Sequence, residues 1–169
     1  MSAELHDLSP LEPAVVALGD ALRAKQWRLA TAESCTGGLI AAACTSVAGS
    51  SDWFERAFVT YSNASKVEML GVDVTLIGAH GAVSDEVARA MAAGAIARST
   101  AELALAVTGI AGPTGATPAK PIGTVWLAWC RRGQSAQAQR LWLGGTRASI
   151  RGQTVRAALD RALEVVRHD

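Results

Sequence analysis

Two β-type runs near the C-terminus, Thr124 to Arg131 and Ala136 to Leu143, flank Arg132-Gly133-Gln134. A connection that short joins only antiparallel strands, because a parallel pair needs a crossover of roughly a dozen residues. Upstream the rhythm is different. The strand-like runs Arg28 to Ala32, Phe54 to Tyr61 and Leu103 to Thr108 are separated by helical stretches, the alternation that builds parallel sheets. One sheet holding both kinds of pairing must be mixed, and helices must cover both of its faces. The sequence therefore predicts an α/β fold: a three-layer α/β/α sandwich with a mixed, mainly parallel sheet. With 169 residues, no internal repeat and no linker-like stretch, a single domain over residues 1–169 is expected.

The helices have readable ends. Ser9-Pro10-Leu11-Glu12 suggests a start with Ser9 as N-cap, Pro10 at the first position and Glu12 closing a capping box. Val15, Val16, Leu18 and Leu22 continue its apolar stripe to about Lys25. An Ala-rich helix follows Gly37-Gly38 to about Ser46. Ser62 or Asn63 caps a short helix that carries Lys66 and ends near Gly71. Asp73 to Ile77 reads as one further turn. Ser84 caps a long helix to about Ser99, with Asp85 and Glu86 in the first turn where the helix dipole favours them. The last helix runs from Arg147 to Arg167, with Ile150, Leu159, Leu163 and Val166 facing inward. Trp126, Trp129 and Trp142 fall on strands and are expected in the core.

Ligands of such sheets gather beyond the carboxyl ends of the parallel strands. Three segments lie there: the loop beginning at Ser34, the segment Tyr61 to Lys66, and the loop Thr108 to Gly115. In Glu33-Ser34-Cys35-Thr36-Gly37-Gly38 a strand stops and glycines open a helix. The N–H groups at that helix start suit an oxyanion or phosphate, and Ser34 is placed to be a nucleophile. Two other readings stay open. Ser34 or Thr36 could simply cap the helix. Cys35 could be the nucleophile instead, with His80 as the single mid-chain histidine to assist it. Lys66 can act as a base only if desolvation or a neighbouring positive charge keeps its amine neutral. Ser–Lys pairs are a known variant of the Ser–His arrangement, and a solvated helix lysine is the plain alternative. Arg147 and Arg151 lie four apart on one helix face, where they could hold a phosphate or carboxylate or merely face solvent. The glycine loop fits neither the dinucleotide nor the P-loop spacing.

Composition narrows the classes. A net charge of +1 gives no field to attract nucleic acid, so no nucleic-acid partner is expected. No apolar run approaches the ~20 residues of a membrane span. The N-terminus, with Glu4, His6 and Asp7, lacks the pattern of a signal peptide. Cys35, Cys44 and Cys130 form no CxxC pair, and no HExxH or HxH occurs, so neither a disulfide framework nor a metal is expected. A cytoplasmic protein is the default. The chain has a single tyrosine, Tyr61, and three lysines, Lys25, Lys66 and Lys120.

Five stretches, in order, resemble the C-terminal domain of the competence/damage-inducible protein CinA. They are TAESCTGG (Thr31–Gly38), AGSSDWFERAFVTYSNASK (Ala48–Lys66), HGAVS (His80–Ser84), VTGIAGP (Val107–Pro113) and KPIGTVW (Lys120–Trp126). That domain also occurs alone as a bacterial nicotinamide-mononucleotide deamidase. The resemblance implies hydrolysis of a nucleotide carboxamide, with no metal or organic cofactor, by a protein that self-associates into a homo-oligomer. It places Ser34 at the nucleophile and Lys66 at the general base. Tyr61 falls at a residue that assists proton transfer or orients the pair, and Thr108 at a substrate contact. A family arginine near the last helix corresponds to Arg147 or Arg151. Thr36, Gly37, Gly109 and Gly112 complete the expected substrate-binding set.

The pattern departs from the family at Ala57, at Thr114-Gly115-Ala116 where Asp-Gly-Gly is common, at Thr117-Pro118-Ala119, and at Thr146. None of these touches Ser34, Tyr61 or Lys66. They bear on the ligand contacts of the glycine loop. They motivate the alternative of a non-catalytic nucleotide- or partner-binding module linked to competence or DNA damage.

Overall fold

The computed structural model describes residues 7–169. Glu4 and His6 of the N-terminal reading lie outside the described residues. A short 3-10 turn at Ser9–Leu11 leads into α1 (Glu12–Lys25). The expected capping box at Ser9 does not form. The helix proper begins three residues later, and the Ser9 N–H donates to the Asp7 carboxylate at 3.0 Å instead.

The order continues β1 (Leu29–Glu33), α2 (Leu39–Thr45), β2 (Phe54–Val59), α3 (Asn63–Leu70), α4 (Val74–His80) and α5 (Asp85–Ala97). Then come β3 (Leu103–Gly109), β4 (Thr124–Arg131), β5 (Gln137–Trp142) and α6 (Arg147–His168). The caps follow local chemistry. The Ser62, Asp73, Ser84 and Thr146 side chains accept N–H bonds at the starts of α3, α4, α5 and α6. With Asp73 as cap and Gly81 ending it, α4 reaches His80 rather than stopping after one turn.

The sheet order is β2-β1-β3-β4-β5. β1 pairs in parallel with β2 and β3, while β4 is antiparallel to both β3 and β5. Four strands thus share one direction and β4 alone opposes them, the mixed, mainly parallel sheet expected from the C-terminal hairpin.

The two faces of the sheet differ in kind. On one, Leu29, Leu103, Leu105, Val107, Val125 and Leu127 pack against α1, α2 and α6. On the other, Ala30, Ala32, Ala104, Ala106 and Ala128 meet Ala88, Ala92 and Ala95 of α5. Small side chains on both surfaces let α5 lie close to the sheet without voids. This second layer uses many of the chain's 34 alanines. Ile150, Leu159 and Val166 of α6 are fully buried, and Leu163 is half-buried. Trp142 does not enter the core. It is 57% exposed on edge strand β5, with the Arg140 guanidinium stacked 4.3 Å from its ring. Among the described residues, no helix is long and apolar enough to cross a membrane.

Candidate active site

β1 ends with Glu33, in register with Val59 on one side and Val107 on the other. The ladder runs one step further: the Ser34 N–H donates to Val107 O at 3.0 Å, and the Thr60 N–H to Glu33 O at 2.8 Å. Parallel register therefore brings Ser34, the Thr60–Tyr61 step and Thr108 side by side at the carboxyl end of the sheet.

α3 supplies the base. Ser62 caps it by accepting from the Ser65 N–H at 3.0 Å, and Lys66 sits one turn in. Helical side chains lean toward the N-terminus, so Lys66 is directed back at the strand end. Its Nζ lies 2.7 Å from Thr60 O and 3.0 Å from Ser34 Oγ. Lys66 is 1% exposed and, among the described residues, has no carboxylate within ion-pair distance. Burial lowers its pKa, because the ammonium would lose its hydration with no counter-ion in return.

These groups open onto a cleft of about 210 Å³ lined by Ser34, Cys35, Tyr61, Asn63, Lys66, Ala82, Val83, Thr108, Gly109, Ala111 and Arg147. Thr108 donates to Ala82 O at 2.8 Å, and Lys120 Nζ donates to His80 O at 2.8 Å. The His80–Ser84 wall is thereby tied down on both sides.

The two arginines separate. Arg147, the first residue of α6, donates to Tyr61 Oη and to Gly112 O, each at 2.9 Å, and stands at the mouth of the cleft. Arg151, one turn on, donates to Cys35 O at 3.1 Å and Thr36 O at 3.0 Å. It braces the nucleophile loop from behind and does not line the cleft.

Several expected contacts fall elsewhere. Tyr61 lines the cleft but is 62% exposed, and its hydroxyl accepts from Arg147 rather than meeting Ser34 or Lys66 directly. Thr36 is fully buried and donates to Glu33 at 2.6 Å, and Gly37 is exposed on the Arg151 side. Gly112 meets the site only through its carbonyl on Arg147. Ser34, Lys66, Tyr61, Thr108, Gly109 and Arg147 are brought together. Thr36, Gly37, Gly112 and Arg151 stand behind them.

Cys35 is a poor rival to Ser34. Burial pushes its thiol up to about 11, so the thiolate is scarce at neutral pH. His80 does not line the cleft, and its Nδ1 lies 3.3 Å from Glu86.

Sequence reasoning missed Glu33. Its side chain is fully buried and accepts from the N–H groups of Gly38 (3.0 Å), Ile40 (3.0 Å) and Ala41 (2.8 Å). The helix-start donors expected to face a ligand are therefore occupied from inside. The available signal was an acid at the end of an otherwise uncharged, fully buried strand. Within the loop, the Gly37 N–H is also taken, by Ser34 O at 3.1 Å. Among the described residues, the N–H groups of Cys35 and Thr36 are the two in Ser34–Gly38 without a hydrogen-bond partner.

The comparisons with known proteins agree with this architecture. The family model of the CinA C-terminal domain matches residues 11–166. A nicotinamide-nucleotide amidohydrolase PncC of Pseudomonas putida is 51% identical over 158 residues, 94% of this chain and 98% of that protein. A CinA-like protein of Syntrophobacter fumaroxidans is 49% identical over 84% of this chain but only 33% of its own length. The crystal structure of a competence/damage-inducible protein from Agrobacterium tumefaciens superposes with a TM-score of 0.88 at 43% identity, covering 97% of this chain and 99% of that one. The chain belongs to the CinA C-terminal domain family.

Proposed function

We propose that this protein is an amidohydrolase that converts the carboxamide of nicotinamide mononucleotide to the carboxylate, releasing ammonia, by a Ser–Lys mechanism. The observation that carries it is the buried Lys66 amine, its pKa lowered, 3.0 Å from Ser34 Oγ. The amidohydrolase name of the Pseudomonas putida relative supports the substrate class.

A neutral amine has two N–H donors and one lone pair. One donor goes to Thr60 O, one N–H stays free, and the lone pair can accept from the Ser34 hydroxyl 3.0 Å away. Ser34 Oγ attacks the carboxamide carbon while Lys66 takes its proton. The oxyanion falls to the Cys35 N–H, the free donor of the loop whose residue lines the cleft. Collapse of the tetrahedral intermediate breaks the C–N bond, and the Lys66 proton leaves with ammonia. Water then attacks the acyl-Ser34 ester, giving its proton to Lys66, which returns it to Ser34 as the acid departs.

A cleft of about 210 Å³ is smaller than the roughly 300–1,000 Å³ of typical ligand sites. It suits the carboxamide-bearing ring, with the sugar and phosphate lying across the mouth. There Arg147 offers the charge, and its fork is already oriented by Tyr61 and Gly112. Self-association and residence in the cytoplasm belong to the same reading.

The test is ammonia release from nicotinamide mononucleotide by the purified protein beside Ser34→Ala. Turnover confined to the parent supports the proposal. Equal turnover in both removes Ser34 as nucleophile. Calorimetric binding of the nucleotide without turnover in a folded parent favours the non-catalytic binding module.

A further inference from the structure

Glu33 is the one fully buried acidic side chain among the described residues, and the mechanism above does not use it. Its two oxygens accept five hydrogen bonds. Oε2 takes the Thr36 hydroxyl at 2.6 Å and the N–H groups of Gly38 and Ile40 at 3.0 Å each. Oε1 takes the Ala41 N–H at 2.8 Å and the Thr31 hydroxyl at 3.2 Å. Every partner is a donor, and the five fill the about four lone-pair sites of a carboxylate and one more, the Thr31 hydroxyl at 3.2 Å being the longest. The residue sits directly before Ser34, and its side chain reaches forward over the Ser34–Gly38 turn to the first residues of α2.

This arrangement does more than cap a helix. The turn is held between two opposite demands: Glu33 draws the Thr36 hydroxyl and the Gly38 N–H inward, and Arg151 draws the carbonyls of Cys35 and Thr36 the other way. A trans peptide points its N–H opposite to its C=O. Fixing Cys35 O on Arg151 therefore turns the Thr36 N–H away from Arg151. Gly38, at φ +100°, makes the left-handed step that lets the following N–H groups converge on one carboxylate. The position of Ser34 Oγ over Lys66 rests on this turn.

We infer that Glu33 is a positioning residue for catalysis, holding the nucleophile loop so that Ser34 meets Lys66 and the Cys35 N–H stays available. The inference rests on the reading of Ser34 as nucleophile. Gln at position 33 replaces one acceptor oxygen with a donor aimed at N–H or hydroxyl donors, so the turn must relax. Misplacement of a reacting group by about 1 Å can lower rates about 100-fold.

The test uses a fluorophosphonate reagent, which labels activated serines, on the parent, Glu33→Gln, Thr36→Val and Thr36→Ser. Folding is followed by near-ultraviolet circular dichroism and thermal melting. Labelling of Ser34 in the parent is expected, with a rate about 10- to 100-fold lower in Glu33→Gln. Thr36→Val, which removes the 2.6 Å donor and leaves the carboxylate, should fall between, and Thr36→Ser should restore the rate. In turnover, kcat should drop with KM and the pH midpoint of Lys66 unchanged. If Glu33→Gln does not fold, the Thr36 pair decides. Parent labelling followed by an equal rate per folded molecule in Glu33→Gln, or in Thr36→Val, overturns the positioning role and leaves the nucleophile intact. A parent that reacts with neither reagent nor substrate overturns both readings.

Discussion

Lys66 Nζ lies 3.0 Å from Ser34 Oγ across 32 residues of sequence, with both side chains buried and, among the described residues, no carboxylate paired to the amine. The pairing depends on burial. A counter-ion would lock the ammonium, whereas desolvation lowers the pKa and frees a lone pair for the serine proton. Activity should therefore fall as pH drops through the lowered Lys66 pKa, because the protonated form accepts nothing. The acidic limb of the rate profile should have a midpoint below the ordinary lysine value of 10.5. Lys66→Arg, whose guanidinium stays charged, should lose about 100- to 10,000-fold in kcat at every pH. A flat profile to acidic pH, or an active Lys66→Arg, would remove Lys66 as base.

Cys35 stands beside Ser34 and lines the same cleft, so it is the natural competitor. With its thiol pushed up to about 11 by burial, it should be almost wholly protonated at pH 7. Cys35→Ala should retain activity within a few-fold, and alkylation of the native protein by iodoacetamide at neutral pH should be slow. Complete loss of turnover in a well-folded Cys35→Ala protein would reverse the assignment.

The placement of Ser34, Tyr61 and Thr108 is legible in the amino-acid sequence, because each lies at or just past a strand end and parallel strands end together; Lys66 follows from the Ser62-capped helix that starts beside Tyr61. The sheet's mixed pairing follows equally from the Arg132-Gly133-Gln134 connection. Glu33 is not legible in this way. Its partners are backbone N–H groups, which carry no side-chain signature, and the glycine-opened helix start suggests an outward anion site that the carboxylate fills from within. Arg147 and Arg151 are equivalent by spacing. Four residues of helix separate them by about 6 Å along the axis, enough to place one at the mouth and the other behind the nucleophile loop. Ser9 satisfies a capping pattern, but Pro10 falls in a 3-10 turn that precedes the helix.

The separation of the two arginines predicts different kinetic signatures. Arg147→Ala should raise KM by about 10- to 100-fold, the weight of one charge-assisted hydrogen bond of roughly 1.5–3 kcal/mol, with a smaller change in kcat. Arg151→Ala should lower kcat with KM little changed, since it loosens the carbonyls of Cys35 and Thr36 rather than a ligand contact. Steady-state kinetics on the two variants checks this, and a KM effect confined to Arg151→Ala would exchange their roles. Because Tyr61 is the single tyrosine and accepts from Arg147, ligand binding should also give a tyrosine ultraviolet difference signal that Tyr61→Phe abolishes.

Close approach of α5 to its neighbours gives a stability prediction independent of catalysis. A Cβ on Gly94 would lie 2.1 Å from Leu70 O and 3.0 Å from Leu70 Cβ, contacts that only a shift of α3 or α5 could relieve. Glycine inside a helix is intrinsically worse than alanine by about 1 kcal/mol, so Gly94→Ala offers a local gain against a packing conflict. The obstacle is backbone, not a flexible side chain, and the conflict should win. We expect Gly94→Ala to destabilise the fold by about 1–3 kcal/mol. Gly78 in α4 has nothing within 4 Å of its would-be Cβ, so Gly78→Ala should be neutral or stabilising by up to about 1 kcal/mol. Urea unfolding of the two variants beside the parent measures both. Equal effects would mean that the α3–α5 contact yields easily, and that the alanine-lined layer tolerates a wider spacing than its side chains suggest.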